Sequence, residues 1–233
     1  MSIIRFSTEE VFDTDSSEYE VLVNAAKKVA VPGIIAEIGT RRGGSAKMMM
    51  DALVEIRQNH NRPFVCIDPY GNIEIECTNL NMSTHYPGAP IGEGPQDSKE
   101  VTSPHRFDYN NDMRNRIIPS LYFYAYQAGF NFTFFCLEDT EFAVRYSDGI
   151  PFYENEKKVI NEYAMVFFDG PHTTPDVLFE TQFFVERSVV GTVFVYDDEW
   201  MLDTEGTIIP YLLKNGFEIM ERGKIKGSYI KVR

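Results

Sequence analysis

Three aspartates directly follow two apolar runs of the sequence, in "FFDGPH" and "VFVYDDEW". Asp169 follows the first apolar run, and Asp197 and Asp198 follow the second. If the segments are neighbouring strands about 4.8 Å apart, the three carboxylates converge on one small space. Carboxylates that close repel, so one must bind a proton unless a cation neutralises the group. The pattern predicts a hard-metal site, Mg²⁺ first and Mn²⁺ or Ca²⁺ as alternatives, unless these residues only cap helices or face solvent.

A second group of candidate residues lies in "AEIGTRRGGSAKMMM", residues 36–50. Gly39, Gly43 and Gly44 let a ligand approach the main chain without meeting a Cβ, and Ser45 is suited to cap the helix that follows. A dinucleotide-binding turn needs glycine where this chain has Arg41. Phosphate binding at this turn is therefore less well supported.

Acidic residues border the same turn. Glu37 precedes the first glycine, and Asp68 ends the segment "FVCID", where its carboxylate could accept hydrogen bonds from two ribose hydroxyls. This lining favours a nucleoside that carries a positive charge over a pyrophosphate. The alternative for Asp68 is a helix cap.

The elements that would position these residues alternate between strands and helices. Nearly continuous apolar runs predict strands buried on both faces at 34–38, 64–68, 132–139, 164–170 and 192–198. Helices are predicted at 17–30, 45–57, 107–128 and from residue 174 onward. The tail predicts a helix stopped at Asn215 and Gly216, then two strands that pair antiparallel. The sequence thus predicts an α/β fold, a doubly wound, Rossmann-like, mostly parallel sheet with an antiparallel C-terminal strand pair.

The chain of 233 residues is predicted to form a single domain, 1–233. The segment 70–106 interrupts the alternation, because it is rich in Pro, Gly, Asn and Ser and is much longer than a usual strand-to-helix loop. It is either a lid that recognises substrate or a surface excursion without a role.

The amino-acid composition limits the classes of molecule that the protein is expected to bind. Lys and Arg number 22 against 35 Asp and Glu, a net charge of −13 that argues against nucleic acid and anionic membrane partners. No apolar run approaches the roughly 20 residues of a membrane span, and the acidic N-terminus lacks a secretion signal, so a cytoplasmic location is expected. The chain has an odd number of cysteines, Cys66, Cys77 and Cys136, and their spacing is not typical of metal ligands. This favours reduced thiols.

Four motifs in chain order, "EIGTRRGGS", "CIDPY", "CLEDT" and "FFDGPH", resemble those of class I S-adenosylmethionine-dependent methyltransferases. More narrowly, residues 34–233 are similar to the metal-dependent O-methyltransferase group that contains macrocin O-methyltransferase and the cephalosporin hydroxylase-like proteins. The resemblance implies a cofactor site in three parts: Glu37, Gly39, Thr40, Gly43, Gly44 and Ser45 around the methionine, Asp68 on the ribose, and Asp139 with Thr140 beside adenine. The alternative for Asp139 and Thr140 is the start of the next helix.

The same resemblance places the metal ion of related enzymes at Asp169, Asp197 and Asp198, although those enzymes have Asp-Asn or Glu-Asp where this chain has Asp-Asp. A metal that binds a hydroxyl lowers its pKa and holds it for attack on the sulfonium methyl. Asp169 and His172 are the candidate catalytic residues. His172 either takes the hydroxyl proton, for which its ordinary pKa is suited, or only bonds to the main chain or lines the cleft.

The implied function is S-adenosylmethionine-dependent, metal-assisted O-methyl transfer to a small hydroxylated molecule, such as a sugar or a natural-product intermediate. One alternative is a nicotinamide-dependent oxidoreductase, which Arg41 in place of glycine argues against. Another is a non-catalytic nucleoside-binding or assembly module. Whether the chain forms a homo-oligomer is left open.

Overall fold

The computed structural model describes residues 12–14, 16–70, 111–171 and 173–233, without the side chain of Asp112. His172, Cys77 and nearly all of the predicted insertion, from residue 71 onward, lie outside the described residues. The helices are α1 (Tyr19–Ala26), α2 (Gly44–Glu55), α3 (Asn111–Ala128), α4 (Asp139–Arg145), α5 (Thr174–Val185) and α6 (Ile209–Lys214). The strands are β1 (Ile34–Ile38), β2 (Arg62–Ile67), β3 (Phe130–Phe135), β4 (Ile150–Tyr153), β5 (Lys157–Ile160), β6 (Tyr163–Phe168), β7 (Ser188–Tyr196), β8 (Phe217–Arg222) and β9 (Gly227–Lys231).

The main sheet of the described residues has the strand order β3-β2-β1-β6-β7-β9-β8. Strands β3, β2, β1, β6 and β7 are mutually parallel, and β9 is antiparallel to both of its neighbours. This confirms the predicted fold class and the antiparallel C-terminal pair. Strand order reverses between β1 and β6, which is where open α/β sheets bind their ligands.

The central strands have two buried faces because helices cover both sides of the sheet. Alternate residues of β1 enter different cores: Ile35 packs with α1, α2 and α3, whereas Ala36 packs with α4, α5 and α6. All residues of β1 and of β6 are buried. This two-sided burial explains why the strands read as unbroken apolar runs.

The first helix is shorter than predicted. It runs from Tyr19 to Ala26 instead of 17–30, and Glu18 just before it has a left-handed conformation with φ 57°. The Glu18 carboxylate accepts hydrogen bonds from the backbone N–H groups of Lys224, Ile225 and Lys226, at 2.8–3.1 Å. This long-range contact ties the start of the helix to the turn between β8 and β9.

The sequence analysis assigned no element to the hairpin of β4 and β5. The two short strands pair antiparallel as a separate sheet. Strand β5 has Lys157 and Lys158 exposed to solvent, so it lacks the apolar run that marks the central strands. Among the described residues no helix is both long and apolar enough to cross a membrane. Cys66 and Cys136 are free thiols.

Candidate active site

The carboxyl ends of neighbouring parallel strands form one continuous edge. One residue past each strand, a backbone N–H continues the ladder: Asp68 donates to Phe135, Gly39 to Ile67, Asp169 to Ile38 and Asp197 to Phe168, each at 2.9–3.0 Å. The ladder therefore places Asp68, Gly39, Asp169 and Asp197 side by side in that order. We call this line the acidic edge. It spans the reversal of strand order between β1 and β6.

Asp68 holds the glycine turn that follows β1. Its Oδ2 accepts hydrogen bonds from the backbone N–H groups of Thr40 and Arg41, each at 2.9 Å. Arg41 has a φ of 41°, a left-handed conformation that costs energy for a residue other than glycine. Burial raises the pKa of Asp68 to about 6, against the effect of these backbone donors. Its Oδ1 is buried without a hydrogen bond of standard geometry from the described residues, and the backbone N–H of Tyr70 also opposes the rise of the Asp68 pKa.

Glu37 supports the same turn from beneath. It is fully buried, and it accepts hydrogen bonds from Ser45 Oγ at 2.6 Å and Cys66 Sγ at 3.3 Å. Burial raises the pKa of Glu37 to about 7. The expectation that Ser45 caps α2 is wrong: Gly43 is the N-cap residue, and the Ser45 hydroxyl is engaged by Glu37 from within the first turn.

The glycines of the turn make room for other parts of the protein. A Cβ on Gly39 would overlap the backbone carbonyl of Asp169, and one on Gly44 would overlap that of Asp13. Asp13 also forms a β-bridge with Gly43, and its Oδ2 accepts a 2.8 Å hydrogen bond from Arg42. The nearest contacts at Gly39 and Gly44 are thus with protein backbone, a reason for glycine that differs from the ligand approach expected from sequence.

A buried lysine faces the predicted metal ligands. Lys226 is 0% exposed, and its Nζ donates to Asp197 Oδ1 at 2.7 Å and to Ser16 Oγ at 2.8 Å. Asp197 Oδ1 also accepts from Ser16 Oγ at 3.2 Å and from the backbone N–H of Asp198 at 2.8 Å. Burial and the negative charge of Asp197 raise the pKa of Asp169 well above its usual range, and the positive charge of Lys226 opposes the shift.

Asp198 turns sharply away from β7. Its φ is 49°, and its Oδ1 accepts a 3.2 Å hydrogen bond from Trp200 Nε1. Burial and the neighbouring Asp197 raise its pKa to about 6. Asp198 and Asp169 are the two carboxylates of this group without a direct salt bridge to Lys226.

The carboxylates were tested as a hard-cation site. Within the described part of the chain, no group of three or more His, Cys, Asp or Glu side chains is placed to hold a metal ion. An ion on Asp197 would also lie next to the Lys226 ammonium, and like unit charges about 4 Å apart repel by roughly 4 kcal/mol near a protein surface. The donor set that the structure describes does not fit a divalent metal.

Asp139 and Thr140 begin α4, with Glu138 at the N-cap position. Asp139 Oδ2 and both carboxylate oxygens of Glu180 on α5 are buried, and the two carboxyl groups lie within hydrogen-bonding reach of each other. The two acids line one small cavity with Ile38 and Ile67, the last residues of β1 and β2. Burial raises the pKa of both acids.

Known proteins were compared with the chain as a whole. No family model and no curated protein matches it. Among solved structures, the precorrin-6y C5,15-methyltransferase from Geobacter metallireducens GS-15 is 12% identical, with a TM-score of 0.51 over 97% of this chain and 96% of that one. The O-methyltransferase NovP is 15% identical, with a TM-score of 0.50 over 92% and 79%. The O-methyltransferase from Bacillus cereus in complex with S-adenosylhomocysteine is 10% identical, with a TM-score of 0.50 over 93% and 83%.

The chain has the fold of these methyltransferases. At such identities the likeness establishes the fold and assigns no role to a residue. Within this methyltransferase fold, the predicted residues Glu37, Asp68, Asp169 and Asp197 lie at the ends of adjacent strands, and His172 lies outside the described residues.

Sequence reasoning missed Lys226 and Glu180. Lys226 lies in "GKIKGSY", where nothing distinguishes it from the exposed Lys224 two residues earlier. Glu180 gave a weak signal, because it is a single acid among apolar residues in "VLFETQFFV". A charged residue within an otherwise apolar helix is worth testing for burial.

Proposed function

We propose that the chain is an S-adenosylmethionine-dependent O-methyltransferase that acts on a hydroxyl of a small molecule. The observation that carries the proposal is the acidic edge, which passes the glycine turn at the strand-order reversal of a methyltransferase fold. An excess of carboxylates over ammonium groups there favours a cationic ligand. Two of the solved structures with this fold are named as O-methyltransferases, one of them in complex with S-adenosylhomocysteine.

The residues present suit such a cofactor. Asp68 Oδ1 is a buried acceptor without a hydrogen bond of standard geometry from the described residues, and it is available to ribose hydroxyls. Asp139 Oδ2 is a second buried acceptor, available to the adenine amino group beside Thr140. Glu37 and Ser45 keep the turn in shape below the ligand. The main chain of the turn would contact the methionine part: Gly39, Thr40, Gly43 and Gly44.

When bound, S-adenosylmethionine would supply a methyl group carried on a positively charged sulfur. The acceptor oxygen would bond to this methyl group as the carbon–sulfur bond breaks, and the electron pair of the broken bond would stay on sulfur. Asp169 directly follows β6 and lies against Gly39 of the turn. Its raised pKa suits a carboxylate that accepts the proton of the acceptor hydroxyl as the new bond forms. His172 stays a predicted alternative for this base.

The acceptor that we propose is small and hydroxylated, a sugar or a natural-product intermediate. The net charge of −13 disfavours a polyanionic substrate. The metal assistance expected from the sequence is left out of the proposal, since Asp197 is paired with Lys226. The cytoplasmic location stays a prediction.

Titration calorimetry tests the cofactor assignment. We expect S-adenosylmethionine and S-adenosylhomocysteine to bind, and Asp68→Ala to reduce the affinity for both. Asp148→Ala, at an exposed position beyond α4, is the matched control. NADH binding without binding of either sulfur nucleoside would instead support the oxidoreductase alternative.

A screen for S-adenosylhomocysteine release tests turnover. Catechols, free sugars, nucleotide sugars and amines would be offered separately, each with and without EDTA. Cofactor binding with no turnover on any hydroxylated compound, but turnover on amines, would overturn the O-methyl assignment and leave the cofactor assignment in place.

A further inference from the structure

Lys226 occupies a fixed place in the fold. Strand β9 begins at Gly227, which pairs with Tyr196 at the end of β7. In an antiparallel pair the next residues outward face each other, so Lys226 comes opposite Asp197 just beyond the ladder. The sheet register itself therefore places the lysine at the acidic edge.

The side chain of Lys226 has three close partners in the structure. Its ammonium is fully buried and lies 2.7 Å from Asp197 Oδ1 and 2.8 Å from Ser16 Oγ. It also lies 4.3 Å from the centre of the Tyr19 ring, a distance typical of a cation–π contact. Burying a lone ammonium is costly, and these three partners offset that cost.

Lys226 also reduces the electrostatic repulsion among Asp169, Asp197 and Asp198. Asp169, Asp197 and Asp198 gather at the ends of β6 and β7, where a proton or a cation must reduce their mutual repulsion. The lysine provides one positive charge from within the chain and fixes Asp197 through its salt bridge.

We infer that Lys226 is the built-in cation of the acidic edge, a positioning residue that holds Asp197 and takes the place of a divalent metal. The inference rests on the proposed methyl transfer for its catalytic meaning. Asp169 is then left to face the acceptor hydroxyl. Methyl transfer by this chain needs no added divalent ion.

Metal binding by the whole protein tests the inference without an acceptor. Metal-free protein would be titrated with Mn²⁺, and free Mn²⁺ followed by electron paramagnetic resonance. We expect weak binding by the wild type and binding at least about tenfold tighter by Lys226→Met, which removes the positive charge paired with Asp197. Lys226→Arg keeps the charge and should resemble the wild type. Lys224→Met, at an exposed lysine two residues away, is the matched control.

Two outcomes decide against the inference. One is wild-type binding of Mn²⁺ as tight as that of Lys226→Met. The other is tight wild-type binding that is lost in Asp169→Asn or Asp197→Asn. If Lys226→Met does not fold, the wild-type titration decides alone, since weak Mn²⁺ binding supports the inference and tight binding overturns it.

Turnover adds a readout that a purely structural lysine would not affect. With any acceptor found in the screen, wild-type turnover should be equal in EDTA and in Mg²⁺. Lys226→Met should lose kcat by about tenfold or more and recover part of it when Mn²⁺ is added. Wild-type turnover abolished by EDTA and restored by Mg²⁺ overturns the inference. Absence of S-adenosylhomocysteine binding would count against the proposed function alone, because the Mn²⁺ titration does not depend on the cofactor.

Discussion

Gly39 lies directly against Asp169, so that a Cβ on the glycine would overlap the aspartate carbonyl. Its φ of 80° is also unfavourable for other residues. We expect Gly39→Ala to lower the free energy of unfolding by about 3 kcal/mol, through the left-handed backbone and the overlap together. Gly129→Ala is a matched control, with a φ of 84° but only an Asn59 side chain nearby. Urea unfolding would measure both, and equal losses would show that the contact with Asp169 carries no cost.

Asp68 combines a structural and a binding role, and two substitutions separate them. Asp68→Ala removes the acceptor of the Thr40 and Arg41 N–H groups, and it should cost about 2 kcal/mol of stability. Asp68→Asn keeps an oxygen for these donors, so we expect near-wild-type stability but weaker binding of S-adenosylhomocysteine. Urea unfolding and calorimetry would be compared. Equal cofactor affinity in Asp68→Asn and wild type would limit Asp68 to its structural role.

The sequence predicted the parts of the fold that depend on local pattern. Strands β1 and β6 are buried on both faces, so their apolar runs identified them, and Asp169 and Asp197 were recognised because they directly follow such runs. Contacts between distant segments were not predictable. The pairing of β7 with β9 determines that Lys226, rather than Lys224, is buried beside Asp197.

Predictions from local sequence were also wrong where a contact with a distant part of the chain competed with the local preference. Ser45 has the residue type and place of a helix cap, but the buried carboxylate of Glu37 is a stronger acceptor for its hydroxyl. Gly44 lies in a turn that suits a ligand, but its missing side chain makes room for Asp13, which is far away in sequence.

The pH dependence of stability should reveal the buried Glu37. Its pKa is about 7 in the folded protein, above the ordinary value of 4.5, so the folded state binds its proton more tightly than the unfolded chain does. The contribution of Glu37 to stability is therefore fully present below about pH 4.5 and is lost as the pH rises through about 7. Relative to wild type, Glu37→Gln should gain about 3 kcal/mol between about pH 5 and pH 8.

Urea unfolding at several pH values in that window would measure this difference, with Glu218→Gln, an exposed position on β8, as the control. Glutamine at position 37 still offers an oxygen to the Ser45 hydroxyl, so the comparison isolates the charge. A constant difference between Glu37→Gln and wild type across the window would contradict the assignment.

Glu180 is 2% exposed, and its buried carboxyl group lies within hydrogen-bonding reach of another acid, Asp139, without a hydrogen-bond donor of standard geometry among the described residues. Such a group destabilises the folded protein unless it serves a ligand. We expect Glu180→Met, which keeps the length of the side chain, to raise the free energy of unfolding by about 2 kcal/mol. Glu186→Met, at the exposed end of α5, should change the free energy of unfolding little.

If Glu180 and Asp139 together bind the adenine amino group, Glu180→Met will also weaken S-adenosylhomocysteine binding in calorimetry, so that stability and affinity change in opposite directions. A variant that gains stability at unchanged affinity would exclude Glu180 from the cofactor site, and one that loses stability would show that the carboxylate is already satisfied within the protein.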